Sequence, residues 1–293
     1  MTAPEIAVVG PGGVGTFFAA HLAAAGHRVV ACARRPFSEY IVESDRASVT
    51  APATVATDPA QIEGGPVPWV LVGVKAHQTD GAAPWFERLC GPGTTIVVMQ
   101  NGVEGAERLA PHAHGADIVP TVVYCGTELV APGHTVHARA GHLFTPDVPA
   151  AHRLAELFAD TLAEIRPTAA YVDEAWRKLG LNVVVNGLTA LTDRPIAVVA
   201  DEPLRTVARG ILAECWAVGR AEGSTLTDDG IEPLLTALGG APGITSMLQD
   251  RRAGRATEHD ALYGAVVRGG LRHGIPTPLN QAVGALLAGG DPA

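Results

Sequence analysis

The stretch EIAVVGPGGVGTFFAAHLAAAGHRVVACAR (5–34) restricts the fold more than any other part of the chain. A short apolar run, EIAVVG (5–10), passes through glycines straight into the Ala-rich run VGTFFAAHLAAAG (14–26), which Gly26 ends at the position after a helix. The next apolar run, HRVVACAR (27–34), follows without a break. Strand, helix and strand at this spacing require a crossover connection, so the two strands lie parallel in one sheet. WVLVGVKA (69–76) and TTIVVMQNG (94–102) repeat the pattern: a buried strand, turn residues, then helical sequence. The expected class is α/β, with a doubly wound, mostly parallel sheet.

The pattern changes between Ile118 and Phe144, where TVVYCGTELV and TVHARAGHLF flank Ala131-Pro132-Gly133 and predict a long antiparallel hairpin. A helix is expected near 150–165, and the remainder reads as helices and loops with no strand. The boundary is expected near Pro167, with an α/β domain over 1–167 and an all-α domain over 168–293.

At 293 residues the chain can bury two separate cores, and 47% hydrophobic with 17% charged residues argues against disorder. A formal net charge of −9 disfavours a nucleic-acid partner held through phosphates. Cys32, Cys90, Cys125 and Cys215 form no CxxC and suit reduced, structural thiols, and the histidines form no metal-ligand spacing. The start MTAPEIAVVG lacks a basic region, and no run approaches the roughly 18 apolar residues of a membrane span. The expectation is a soluble cytoplasmic protein with no metal, no nucleic acid and no membrane.

GPGGVG fits GxGxxG with Gly10, Gly12 and Gly15, and its place between the first strand and first helix is that of a dinucleotide-binding turn. Gly10 permits the tight turn, Gly12 lets backbone amides approach a pyrophosphate, and Gly15 lets helix and strand pack closely. Pro11, Gly13 and Val14 complete the expected cofactor loop, and the helix N-terminus offers its amides to the phosphates. NAD enzymes usually carry Asp or Glu at the end of the second strand. Here Ala31-Cys32-Ala33-Arg34-Arg35 has no carboxylate and two guanidiniums, so NADP(H) is the expected cofactor, with Arg34 at the 2′-phosphate. Lys75 and Asn101 stand at the carboxyl ends of strands, the rim on which open α/β sheets bind ligands.

In WRKLGLNVVVNGLTALT (176–192), Lys178, Asn182 and Asn186 are four residues apart and share one stripe of a largely apolar helix. That stripe suits either a solvent-facing edge or a surface that meets a polar ligand. Ser246 and Glu258 flank a further loop-to-helix transition, where a helix cap and a first-turn acid are the plainer readings.

Taken together, GPGGVG, the VKA strand end, QNG, WRKLGLNVVVNGLTAL, and SMLQD with AGRATE and HGIPTPLN behind it resemble the ketopantoate reductases along nearly the whole chain. The resemblance implies a Rossmann-like domain followed by a helical one, with an active site in the cleft between them. It makes Lys178 the catalytic lysine and Asn182 and Asn186 substrate-binding. Asn101 then touches cofactor and substrate, Lys75 contacts NADP, and Ser246 and Glu258 form the far wall of the cleft. The implied reaction is NADPH-dependent reduction of 2-dehydropantoate to pantoate, with Lys178 as proton donor and Glu258 orienting either Lys178 or the substrate. The alternatives are a family paralogue that reduces another 2-oxo acid and a non-catalytic NADPH-sensing protein. Whether the chain forms a homodimer is left open. Three departures stand out: Ile196 lies where many members have an Asn-Gly pair, and His259 and Tyr263 alter the usual TEID and the NG that follows it. These are expected to change part of the substrate wall.

Overall fold

The computed structural model describes residues 4–292. The chain divides into two compact units, one made of the residues up to Gln100 with 105–171, the other of Asn101–Glu104 with the chain from Val172. The first unit contains, in order, β1 (Ile6–Val9), α1 (Gly13–Ala24), β2 (Val29–Cys32), β3 (Glu39–Ser44), β4 (Val49–Pro52), β5 (Thr54–Ala56) and β6 (Trp69–Val72). There follow α2 (Ala83–Leu89), β7 (Thr95–Val98), α3 (Gly105–Leu109), β8 (Asp117–Pro120), β9 (Val122–Ala131), β10 (His134–Pro146), α4 (Pro149–Leu157) and β11 (Glu164–Thr168).

The strands β5-β2-β1-β6-β7-β8 form one sheet in which every pairing is parallel. Numbered within that sheet the order is 3-2-1-4-5-6, the dinucleotide-binding arrangement, with its switch point between β1 and β6. Alternation along each strand fills two cores. Ile6, Val8, Leu71 and Val97 pack with Phe17, Phe18 and Leu22 of α1, while Ala7, Val9, Val70 and Val72 pack with Phe86 and Leu89 of α2. Burial on both faces is why these strands read as continuous apolar runs.

The expected hairpin is present: β9 and β10 are antiparallel, with Val122 opposite Phe144. It belongs to a second sheet, ordered β11-β10-β3-β4, whose Tyr40, Val42, Leu143 and Ile165 enclose α1 from the side away from the first sheet. Nothing in the sequence pattern announces β3, β4 or β11. The helix expected over 150–165 ends at Leu157, and Glu164–Thr168 instead pairs in parallel with β10. A five-residue strand containing Pro167, which lacks an N–H, carries little strand signal on its own. Because β11 completes this sheet, the first unit runs on to Tyr171.

The second unit is helical: α5 (Tyr171–Thr192), α6 (Glu202–Ala221), α7 (Ile231–Gly239), α8 (Ser246–Arg252), a π-helical turn at Asp260–Gly264 continuing into α9 (Ala265–His273), and α10 (Pro278–Ala288). Its core joins Leu179 and Val183 of α5, Ile211, Cys215 and Trp216 of α6, Leu235, Met247, Tyr263, Val266 and Leu287. α5 and α6 approach closely at glycines. A Cβ on Gly180 would lie 2.5 Å from Trp216 Nε1, and one on Gly219 would lie 2.8 Å from Cδ2 of Trp176. Cys32, Cys90 and Cys215 are buried free thiols, with Cys90 pushed up to about 12 by burial. Among the described residues, no helix is long and apolar enough to cross a membrane.

Candidate active site

In the first unit, three glycines converge where β1 ends. Gly10 has φ +81°, and a Cβ there would lie 2.7 Å from the Val74 backbone nitrogen. Cβ atoms on Gly15 and Gly73 would lie 2.8 Å and 2.7 Å from one and the same atom, the Gly10 carbonyl oxygen. Gly73, in WVLVGVKA, is not among the expected cofactor residues; its place at the end of β6, beside the glycine loop, is the available signal. Gly12 differs from these three. Its φ is −72°, open to any residue, and nothing lies within 4 Å of where its Cβ would be. Gly12 is also the N-cap of α1, with no side-chain cap and no acidic residue in the first turn. The leading amides of α1 therefore meet no carboxylate of their own, a setting that favours an anion.

The rest of this loop is held from behind. Thr16 Oγ1 donates to the Pro11 carbonyl at 3.0 Å. A Cβ on Gly13 would lie 2.7 Å from Thr127 Oγ1 of β9, so the second sheet backs the start of the helix, and Val14 packs at its edge. Arg34 and Arg35 are exposed just past β2. Lys75 is half-buried just past β6, where an extended backbone leads into a 3-10 turn at Ala76–Gln78. Gln100, the first residue of QNG, is buried, and its Nε2 donates to the Val74 carbonyl at 3.0 Å and to Thr79 Oγ1 at 2.9 Å. It braces the Lys75 loop, a role the sequence does not reveal.

In the helical unit, α5 carries Lys178, Asn182 and Asn186 along one stripe. Lys178 is half-buried, and Asn182 and Asn186 are only 6% and 5% exposed, so the stripe is not a solvent-facing edge. Asn182 Nδ2 donates to Asn101 Oδ1 at 3.4 Å, and Asn101 Nδ2 donates to Glu258 Oε2 at 3.0 Å. This chain orients the Asn101 amide, since the nitrogen must face the carboxylate. Three of the candidate site residues are thereby joined across 157 positions. Asn186 lies one turn further along α5, and its Oδ1 is buried without a hydrogen-bond partner. Ser246 is exposed at the start of α8, and the cap of that helix is Thr245, whose Oγ1 accepts from Leu248 N at 3.2 Å and shares a 2.7 Å hydrogen bond with Thr189 of α5.

The chain matches the model of ketopantoate reductase PanE/ApbA over residues 6–149 and the model of the C-terminal region of PanE/ApbA over residues 171–290. It is 41% identical over 286 residues to the 2-dehydropantoate 2-reductase of Caulobacter vibrioides, covering 97% of this chain and 98% of that one. The chain belongs to the ketopantoate reductase family. A 2-dehydropantoate 2-reductase of Mycobacterium tuberculosis is 37% identical over 289 residues, 98% of this chain and 97% of that one. Among solved structures, the 2-dehydropantoate 2-reductase from Geobacter metallireducens superposes with a TM-score of 0.90 at 28% identity, covering 97% of this chain and 99% of that one. A D-mandelate dehydrogenase shares the fold, with a TM-score of 0.85 at 19% identity over 97% of each chain.

Two of the three departures from the family pattern turn inward in this member of the family. Tyr263, expected to alter the substrate wall, is instead fully buried in the helical core. Its hydroxyl donates to the Val183 carbonyl at 2.5 Å, and the ring fits beside Gly187 and Gly284. Burial holds the phenol protonated far above its usual range. The π-helical turn at 260–264 carries Tyr263 into the core. Ile196 also packs against the helical core, with its N–H donating to the Gly243 carbonyl at 3.0 Å. His259 is half-buried, with Nδ1 3.2 Å from Thr257 Oγ1 and 3.2 Å from Asp291 Oδ2, and so ties the start of the π-helical turn to the end of the chain.

Proposed function

We propose that this chain is an NADPH-dependent 2-dehydropantoate 2-reductase, which reduces the C2 carbonyl of its substrate to give pantoate. The observation that carries this reading is the partly buried Asn182–Asn101–Glu258 chain on the same helical unit, and in part the same stripe, as Lys178. The names of the Caulobacter and Mycobacterium relatives support the substrate.

The first unit holds the cofactor in this reading. Gly10, Pro11 and Gly12 shape the turn, Gly13, Val14 and Gly15 present the first amides of α1 to the diphosphate, and the open space at Gly12 together with the uncapped α1 terminus fits that group. Arg34 meets the 2′-phosphate and Lys75 reaches the cofactor from the end of β6, while Asn101 keeps the part in cofactor and substrate binding that the family resemblance gives it. NADPH, when bound, supplies a hydride. Lys178 stabilises negative charge at the substrate's C2 oxygen and delivers the proton to it. Asn182, Asn186 and Ser246 bind the substrate's carboxylate and hydroxyls, with the unpartnered Asn186 Oδ1 suited to accept from a hydroxyl. Glu258 acts by holding Asn101. The enzyme works in the cytoplasm, as a monomer or homodimer, and its buried unpaired thiols support a reducing compartment.

One observation favours a second reading, a reductase of another 2-oxo acid: Ile196 packs into the core and brings no polar group to a substrate wall. A panel of 2-oxo acids assayed with NADPH, followed by loss of nicotinamide absorbance, separates the two. The expected outcome is the highest kcat/KM for 2-dehydropantoate. Equal or faster turnover of an unhydroxylated 2-oxo acid would overturn the substrate, and no turnover of any 2-oxo acid would overturn the reaction.

A further inference from the structure

Asn101 belongs to a four-residue strap, Asn101–Glu104, that groups with the helical unit although its sequence neighbours on both sides do not. Three contacts dock the strap there. Gly102 adopts φ +98° and comes so near the π-helical turn that a Cβ would lie 2.5 Å from the Ala261 carbonyl oxygen. Val103 packs on the helical core. Glu104 receives a forked pair of hydrogen bonds from Arg268 of α9, Nε to Oε1 at 3.0 Å and Nη2 to Oε2 at 2.6 Å.

Arg268 has a second engagement. Nη1 donates to Asp260 Oδ1 at 2.7 Å and Nη2 to the Asp260 backbone carbonyl at 3.1 Å. Asp260 opens the π-helical turn two residues after Glu258, and Leu262 N donates back to the Glu258 carbonyl at 3.2 Å. One guanidinium thus grips a residue three positions after Asn101 and another two positions after Glu258. Glu104 and Asp260 together raise the affinity of Arg268 for its proton, in that order of effect. A π-helical turn is rare and frequently found at functional sites, and here its backbone is hydrogen-bonded to Glu258.

We propose that Arg268 is a positioning residue: its fork onto Glu104 and Asp260 fixes the separation of Asn101 and Glu258, and so the direction in which the Asn101 amide is presented. The consequence for turnover rests on the reductase reading above; the mechanical part does not. A planar fork that hydrogen-bonds two segments at once cannot be reproduced by a lysine, which offers a single point charge.

The side-chain amide signal of Asn101 in a nitrogen–proton correlation spectrum, assigned by its loss in Asn101→Ala, reads the pair without substrate. In Arg268→Lys and in the milder Glu104→Gln, that signal is expected to move or broaden while the core amides of α6 stay in place. A matching fall in kcat/KM of about 10-fold is expected, and the double variant Arg268→Lys/Glu104→Gln should lose less than the product of the single losses. An unmoved Asn101 signal overturns the proposal. So does a moved signal with native kcat/KM. If the native enzyme reduces no 2-oxo acid, the reductase reading fails, and the amide signal alone then decides whether Arg268 holds Asn101.

Discussion

Gly12→Ala separates a glycine kept for the fold from one kept for a ligand. The backbone at Gly12, φ −72° and ψ −163°, suits alanine, and its Cβ would meet no protein atom within 4 Å. Folding should therefore not suffer. Replacing glycine by alanine at a compatible site stabilises by about 0.4–1 kcal/mol through the unfolded chain, worth up to roughly 3 °C in Tm for a protein of this size. If the cofactor's diphosphate approaches the backbone at Gly12, the new methyl occupies that space. Crowding a methyl into a packed contact costs about 1–3 kcal/mol, which raises the Kd for NADPH by about 5- to 150-fold. The partner variant is Gly73→Ala, whose Cβ would sit 2.7 Å from the Gly10 carbonyl oxygen and 3.4 Å from the Gly15 Cα, both backbone atoms with little room to move. It should lower Tm and weaken NADPH binding together. Fluorescence titration with NADPH and thermal unfolding of the free proteins give both quantities. A Gly12→Ala protein that binds NADPH as the native enzyme does would refute the close approach. So would one that loses stability and affinity in parallel, because the open space would then be misread.

Lys178→Ala should lower kcat by about 10²–10⁴-fold, the range for a removed general acid, with little change in NADPH affinity; near-native kcat in a folded variant would reject it as proton donor. Arg34→Ala should erode the preference for NADPH over NADH by about 2- to 5-fold, a modest factor because the side chain is exposed, as read from Kd values for both cofactors. His21 is buried with an unpartnered Nε2 and is lowered to about 4, first by burial and then by the nearby His137. The unfolded chain binds this proton below about pH 6.5 and the folded one only below about pH 4, so stability should fall as pH drops through that interval and level off beneath it. Denaturant unfolding of the native protein and His21→Leu across that range checks this, since the variant should lose part of the slope.

The parts of the fold that can be read from the sequence are those whose signal is local. β1, α1 and β2 combine continuous apolar runs with glycine punctuation, and β9 and β10 flank a turn at Pro132-Gly133, so short windows suffice to define them. β3, β4 and β11 are short and half-exposed; β10 lies between β3 and β11, distant segments that no window contains, and β4 joins the sheet only through β3. The site divides in the same way. Asn182 and Asn186 stand out because amides on an otherwise apolar helix are costly to bury without partners, and both are buried. Gln100, Gly73 and Arg268 do not stand out. Each acts on a residue that does, Gln100 on the Lys75 loop, Gly73 on Gly10 and Arg268 through Glu104 on the Asn101 strap, and such support is visible only in three dimensions. Tyr263 shows the converse error. A residue that departs from the family pattern beside a site residue looks like a change of specificity, but the π-helical turn rotates it into the core.

That turn also bears on what Glu258 does. A carboxylate with the Asn101 amide nitrogen at 3.0 Å fixes which end of the amide faces it, and the Asn101 oxygen is thereby left for Asn182 Nδ2. Reversing the Asn101 amide would set its oxygen against the carboxylate and lose both hydrogen bonds at once, so one orientation is strongly preferred. Glu258→Gln removes that preference without removing bulk, because a glutamine can either donate to the Asn101 amide or accept from it. The carboxylate's part in this site is therefore directional. It sets the polarity of a chain of amides that begins on α5, where Lys178 also stands, and the same chain gives the two asparagines distinct tasks: Asn182 is committed to Asn101, whereas the buried Oδ1 of Asn186 has no partner in the protein. In the reductase reading, that buried Asn186 Oδ1 is an acceptor left for a substrate hydroxyl.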